Sequence, residues 1–138
     1  MPNKKIGFLI KQVFYLHEQH LNKQFSKFGL TASQTFTLIY LFKSHDKGIS
    51  VNQKDIEKEL DISNPTVTGI LNRLEVKGLI TRVPCRHDAR AKNIEVTEKA
   101  LELDKQLRIV FQQSDEKLVE SLSKEEIDNL QSYLIKIL

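Results

Sequence analysis

The chain has 138 residues, 40% of them hydrophobic and 28% charged, with a formal net charge of +3; that is enough sequence for one buried core but not for two full domains, and so mild a basicity points by itself to no particular partner. A single cysteine, Cys85, excludes an internal disulfide framework and fits a reducing cytoplasm. The N-terminal Met1-Pro2-Asn3-Lys4-Lys5-Ile6-Gly7 has neither a long apolar run nor a small-residue cleavage site, and no stretch is apolar over enough residues to span a bilayer, so a cytoplasmic protein with no membrane partner is expected.

From the N-terminus, Ile6, Leu9, Ile10, Val13, Phe14, Leu16, Leu21, Phe25 and Phe28 recur at helical spacing and predict a long first helix over Lys5 to Lys27, ended by Gly29. Thr31 with Gln34 has the form of a capping box for a second helix that carries Phe36, Ile39, Tyr40 and Phe42. Asp46-Lys47-Gly48 then breaks the chain.

The next segment, Val51 to Leu60, reads as a short helix capped by Asn52, with Val51 and Ile56 placed as a hydrophobic staple. A few residues later Ser63 can cap a helix start, Pro65 is tolerated in the first turn, where its missing donor costs nothing, and Gly78 supplies the stop. The predicted helix runs from about Asn64 to Lys77. Val67, Ile70, Leu71 and Leu74 form its buried face, which turns Asn64, Thr66, Thr68, Gly69, Asn72 and Arg73 outward. Short hydroxyl and amide side chains reach base edges or phosphates, Arg73 can fork onto either, and Gly69 removes bulk so that a backbone can come close. In isolation this pattern is better read as an amphipathic helix with a solvated face. Its flanks point instead to DNA. Two short helices joined by a few residues have helix-turn-helix spacing. Downstream, the β-branched runs Leu79 to Val83 and Asn93 to Val96 flank Pro84 to Lys92, a hairpin with a basic tip. From Arg73 to Lys92 the cations are Arg73, Lys77, Arg82, Arg86, Arg90 and Lys92, against only Glu75 and Asp88. Helix, turn, reading helix and hairpin together make a winged helix-turn-helix.

After the hairpin, Thr97 can cap a long helix over Glu98 to Ser121 through Leu103, Leu107, Val110, Phe111 and Leu118. Ser123 and Glu126 form a capping box, with Leu122 and Ile127 as its staple, for a last helix through Leu130, Tyr133, Leu134, Ile137 and Leu138. The fold class is mainly α with a small β-hairpin wing. So apolar a last helix would leave a greasy edge on a monomer, for which a second copy of the chain is the economical cover; the alternative is that the terminal helices close the chain's own core.

Ser63 through Gly78-Leu79-Ile80, then Asp88-Ala89-Arg90-Ala91-Lys92, then Val96-Thr97-Glu98-Lys99-Ala100, strongly resemble the MarR family of bacterial transcriptional regulators. Leu30-Thr31-Ala32-Ser33-Gln34 and Leu122-Ser123-Lys124-Glu125-Glu126 extend the likeness over nearly the whole chain, and the Asp-x-Arg element of the wing is its most specific piece. Ala100 departs from the glycine that many relatives carry. The resemblance implies a single unit over 1–138, with dimerisation helices at 1–28 and 98–138 around a DNA-binding lobe at about 31–97. It also implies a homodimer on a pseudo-palindromic double-stranded operator, acting most often as a repressor, with recognition helices in successive major grooves and wings in the flanking minor grooves.

The expected DNA contacts are Asn64, Thr66, Thr68, Gly69, Asn72, Arg73, Arg86, Asp88, Arg90 and Lys92. Arg90 at the wing tip suits the negative potential of a narrow minor groove. Asp88 would repel phosphate if free; pairing with Arg90 or a neighbouring cation would hold the loop, the role the resemblance also implies. The alternative is a disordered charged loop. An effector, a small aromatic or lipophilic molecule, is expected between the first, second and fifth helices, with Phe14, Phe36 and Tyr40 from an aromatic group that also includes Phe25, Phe28 and Phe42, and His17 and His20 as polar contacts. The competing reading makes all these rings core. The spacing of His17 and His20 would also suit a metal, but no Cys-x-x-Cys or His-x-x-x-His motif exists and the fifth helix has no histidine to complete a site. No metal or cofactor is expected. Cys85 beside Arg86 could be a redox switch or simply a residue at the wing base. With no glycine-rich phosphate loop and only scattered carboxylates, the chain does not read as an enzyme. The other function classes left open are an interaction module of the same fold without DNA binding and a redox- or metal-responsive regulator.

Overall fold

A computed structural model describes residues 5–88 and 90–138; the N-terminal residues 1–4 and the Ala89 of the wing motif lie outside the described residues. The elements run α1 (Ile6–Lys27), α2 (Ala32–Asp46), α3 (Gln53–Leu60), α4 (Asn64–Val76), β1 (Ile80–Pro84), β2 (Lys92–Val96), α5 (Glu98–Leu118) and α6 (Lys124–Ile137). This is the expected winged helix-turn-helix with long helices before and after it.

The expected capping boxes form. Thr31 Oγ1 accepts from the Gln34 N–H at 3.2 Å while Gln34 Oε1 accepts from the Thr31 N–H at 3.3 Å. Ser123 and Glu126 make the same reciprocal pair. Asn52 does more than cap α3: Asp55 answers it, each bond being 2.9 Å, so aspartate fills the role usually taken by glutamate. Ser63 departs from expectation. It occupies the cap position of α4, but its side chain caps no backbone N–H; its hydroxyl instead bonds Thr66 Oγ1 at 2.9 Å. Pro65 removes one of the two N–H groups that a cap residue can bind, and the Thr66 side chain takes the Ser63 hydroxyl in place of the other.

A single hydrophobic cluster joins α1 through α5. The α4 stripe is its centre, with Val67, Leu71 and Leu74 at 0% exposure and Ile70 at 5%. Around it stand Leu38, Leu41 and Phe42 of α2, Ile56 of α3, Ile80 and Ile94 of the hairpin, and Leu107 of α5. Fully burying each such side chain contributes about 1.5–3 kcal/mol, so the stripe alone fixes which way α4 faces.

The two strands pair antiparallel in a register from Ile80 opposite Val96 to Pro84 opposite Lys92. Beyond the sequence reading, β2 is also sewn to the start of α3: Asn52 bridges Asn93, and the Ile94 N–H donates to the Val51 carbonyl at 2.7 Å. The wing base is thereby fixed to the helix-turn-helix.

The fifth helix ends at Leu118, short of the expected Ser121, because turns at Val119 to Leu122 precede the extended cap residue Ser123. At the periphery α6 buries no residue, and α1 buries only Leu21 and Phe25. Ile6, Phe8, Ile10, Phe14, Leu134 and Ile137 are all exposed, so α6 and the N-terminal half of α1 take no part in the chain's own core, while Leu21 and Phe25 at the other end of α1 do.

Thr97 joins these parts: its hydroxyl oxygen accepts from the Ala100 N–H at 3.2 Å and its hydroxyl donates to the Gly78 carbonyl at 2.7 Å. Thr97→Ala is expected to lower unfolding free energy by about 1 kcal/mol in urea melts, while Thr97→Ser retains most of it. Equal loss in both variants would trace the effect to the methyl group rather than to the hydroxyl.

Candidate nucleic-acid interface

Because the apolar stripe of α4 points inward, its polar side faces out, and neighbouring elements hold three of the side chains on it. Asn64 Nδ2 donates to Glu57 Oε2 at 3.1 Å. Thr66 is tied to Ser63. The Thr68 hydroxyl donates to the Asn64 carbonyl at 2.9 Å and accepts from Gln53 Nε2 at 2.8 Å. Thr68 is half-buried, so its hydroxyl locks α3 to α4 rather than standing free in the groove. Asn72 Oδ1 accepts from Arg82 Nη2 of β1 at 2.6 Å. Arg73 is exposed and makes no ion pair among the described residues.

Gly69 also makes room within the helix. A Cβ there would lie 3.2 Å from Arg73 Nη1, so the missing side chain leaves room for the Arg73 guanidinium to lie along the helix, one turn back from its own Cα.

The wing curves over this face. A concavity of about 560 Å³ is lined by Gln53, Lys54, Asn64 and Thr68 on one side and Arg82, Arg90 and Lys92 on the other. Reading helix and wing cations therefore share one surface, to which α3 adds Gln53 and Lys54. Those two were not singled out in the sequence; their only signal was position, as the first two residues after the Asn52 cap. Arg86, Asp88 and Arg90 are exposed at the hairpin tip. Asp88 shapes the loop without a side-chain ion pair among the described residues: its Oδ1 accepts from the Arg90 backbone N–H at 2.9 Å, which leaves the Arg90 guanidinium free of that carboxylate. Cys85 sits at the wing base, its thiol 3.2 Å from Asn93 Oδ1 and its N–H donating to the Ala91 carbonyl.

The five residues expected around an effector do not converge on one place. Phe36 lines an apolar cleft of about 560 Å³ between α2 and α5, together with Ile39, Phe42, Leu107 and Phe111. Phe25 of α1 packs edge-on to Phe36, with ring centroids 6.1 Å apart, and against Phe111 at 5.7 Å. Arg108 bridges Asp46 at 3.3 Å and Asp104 at 3.1 Å beside this cleft. His17 and His20 line a separate cleft of about 400 Å³ between α1 and the end of α5. There His20 Nδ1 lies 2.9 Å from Ser114 Oγ and His17 Nε2 lies 3.9 Å from Asp115 Oδ1. Partial burial, then the charges of Lys117, His17, Lys27 and Lys23, hold the His20 pKa below the ordinary imidazole value. Phe14 is exposed on the outer half of α1, and Tyr40 is half-buried against the core, its phenol pKa raised by burial and by Asp55 and Glu59. Neither lines either cleft. The sequence gathered the five from an aromatic concentration in the connecting helices with two histidines nearby, which does not say which cleft each meets.

A sequence profile of the MarR family matches residues 28–91, from the end of α1 to the tip of the wing. Among solved structures, a single-residue mutant of MepR from S. aureus is 30% identical, covers 97% of this chain and 96% of its own, and superposes with a TM-score of 0.87. The S. aureus MepR–DNA complex is 30% identical over 98% of this chain and 97% of that one, with a TM-score of 0.76. Wild-type MarR from E. coli in its apo form is 25% identical over 99% and 98%, with a TM-score of 0.83. With this likeness spanning almost the whole length of both chains, and with the reading helix and wing in the places described, the chain belongs to the MarR family of winged helix-turn-helix transcription regulators.

Proposed function

We propose that the protein is a homodimeric, sequence-specific DNA-binding repressor, released from a pseudo-palindromic operator by a small aromatic or lipophilic molecule. The observation that carries the DNA-binding part is the single concave surface on which the polar face of α4 meets Arg82, Arg90 and Lys92. Phosphate contacts position such a protein and base-edge contacts specify its site; the polar side chains of α4 suit the second task, and Arg90 and Lys92 the first. The MepR–DNA complex supports the same reading. The protein works without catalysis, in the cytoplasm, and among the described residues no helix is long and apolar enough to cross a membrane. Arg90→Ala is expected to weaken operator binding roughly tenfold or more, about 1.4 kcal/mol, with an unchanged melting temperature, since the residue is at an exposed tip. Asp88→Ala also weakens binding, by loosening the turn that its carboxylate holds. Tighter binding by that variant in a gel shift would make Asp88 a repulsive bystander, and failure of the wild-type protein to retard any genomic fragment would favour an interaction module of the same fold.

The dimer rests on the exposed apolar residues of α1 and α6, among them Ile6, Phe8, Ile10, Leu134 and Ile137. A patch this extended marks an association surface, and two-fold pairing would set two copies of α4 for two half-sites. The protein is expected to sediment as a dimer at micromolar concentration. Leu134→Glu or Ile137→Glu dissociates or unfolds it, because a charge would be buried without a partner. A wild-type monomer in sedimentation would remove the two-half-site arrangement.

The effector reading rests on the cleft between α2 and α5, where Phe36, Phe42 and Phe111 meet the Arg108 bridge. A ligand there releases DNA only if it prefers a dimer whose recognition helices are wrongly spaced, so its differential affinity sets the size of the switch. Titration of planar aromatic acids and lipophilic cations into the protein–operator complex is expected to release DNA with at least one class, and Phe36→Ala blunts that response. Compounds that raise the melting temperature of the free protein yet leave operator affinity unchanged would refute an inducer site.

A further inference from the structure

The guanidinium of Arg82 is the most constrained cation on the reading face. It projects from β1 onto α4, its side chain only 22% exposed, with Nε 3.6 Å from Glu75 Oε2 and Nη2 2.6 Å from Asn72 Oδ1. Nε is buried and has no hydrogen-bond partner among the described residues, so the bond to Asn72 carries much of what satisfies this charge. A guanidinium has donors only, which settles the orientation of the amide: the atom facing Arg82 is the oxygen, and Nδ2 with its two hydrogens is the atom left for the solvent side. Asparagine recognises adenine by presenting both atoms at once, its oxygen to N6–H and its nitrogen to N7. The Asn72 oxygen keeps a second lone pair, but the cation already bound to it weakens it as an acceptor and polarises the amide, so that the N–H groups are its stronger partners for a base. Turning the amide over, nitrogen towards β1, would break a short charge-assisted bond and strand a largely buried cation.

We propose that Arg82 is a positioning residue for base reading: it holds and polarises the Asn72 oxygen, so that Asn72 offers the major groove chiefly its N–H donors and selects guanine over adenine at one base pair of each half-site. Guanine answers such a donor with two acceptors, O6 and N7, whereas adenine sets its N6 amino group beside N7, where it repels a second donor. The wing strand thereby takes part in base discrimination without touching a base. Glu75 neutralises Arg82 and keeps it from swinging out to a phosphate. This inference rests on the DNA-binding reading above.

The test is selection of bound duplexes from a randomised library, with wild type and the variants Asn72→Ala, Asn72→Asp, Arg82→Met and Arg82→Lys, alongside melting curves and salt titrations. Asn72→Ala is expected to flatten a guanine preference at one position per half-site. Asn72→Asp leaves the Arg82 contact in place but exchanges donors for acceptors, and so moves the preference at that position to cytosine, whose N4 donates. Arg82→Met frees the oxygen and shifts the guanine-to-adenine ratio there by roughly tenfold towards adenine, about 1.4 kcal/mol, whereas Arg82→Lys keeps a donor and keeps guanine. Uniform weakening of all sequences by Asn72→Ala, with the salt slope reduced by about one, would identify a phosphate contact and overturn the proposal. So would an Asn72→Asp or a folded Arg82→Met variant with the wild-type preference. Wild-type protein that selects no duplex overturns the DNA-binding reading itself; wild-type protein that selects a site indifferent to residue 72 overturns only this inference.

Discussion

The rest of the structure depends on the burial of four side chains on one helix. Val67, Ile70, Leu71 and Leu74 belong to the one hydrophobic cluster that also takes in residues of α1, α2, α3, the hairpin and α5. Their burial is non-directional in origin but directional in effect, because a helix with one buried stripe has one exposed face. Everything that makes α4 a reading helix follows: the polar residues are outside because the apolar ones cannot be, and the hairpin and α3 lie beside that face because they complete the same core.

Orientation alone would leave a row of short polar side chains free to rotate. The structure orders them by pairing each with a neighbouring element: Asn64 with Glu57, Thr68 with Gln53, and Asn72 with Arg82. Such pairings lower the entropy lost when the face meets a ligand, and they restrict which atoms it offers. The far end of α4 is tied down by lysines. Lys77 Nζ donates to the Gly29 carbonyl and to Gln34 Oε1, and Lys99 Nζ donates to the Lys77 carbonyl at 2.6 Å. Cations on the last carbonyls complement the negative end of the helix dipole; here they also join the reading helix to the α1–α2 corner and to the start of α5.

Those ties make a mechanical route between the two proposed activities. The α2–α5 cleft is walled by Phe36 and Phe42 on α2, whose N-terminal turn holds Gln34 and so Lys77, and by Phe111 on α5. The Arg108 bridge spans the same pair of helices through Asp46 and Asp104. As an exposed ion pair it contributes little stability. Its place matters more: a molecule that wedges α2 from α5 acts on the helix to which α4 is fastened.

Much of this was legible in the amino-acid sequence, for a local reason. Helix periodicity, the Thr31–Gln34 and Ser123–Glu126 boxes, the Thr97 cap and the glycine stops depend on neighbours within about one turn, so the elements and the buried stripe of α4 could be read directly. The β-branched runs around a basic tip marked the wing, and the family motifs added the function class. Short-range logic failed where a competitor was also near at hand, as at Ser63, whose hydroxyl bonds Thr66 Oγ1 rather than a backbone N–H. What only the tertiary structure decided are pairings between residues far apart in the chain: Arg82 with Asn72, Gln53 with Thr68, β2 with the start of α3, and the division of the expected effector residues between two clefts. No local rule encodes these, because each depends on the angle at which two packed elements meet, and that angle is set by the shape of the whole core.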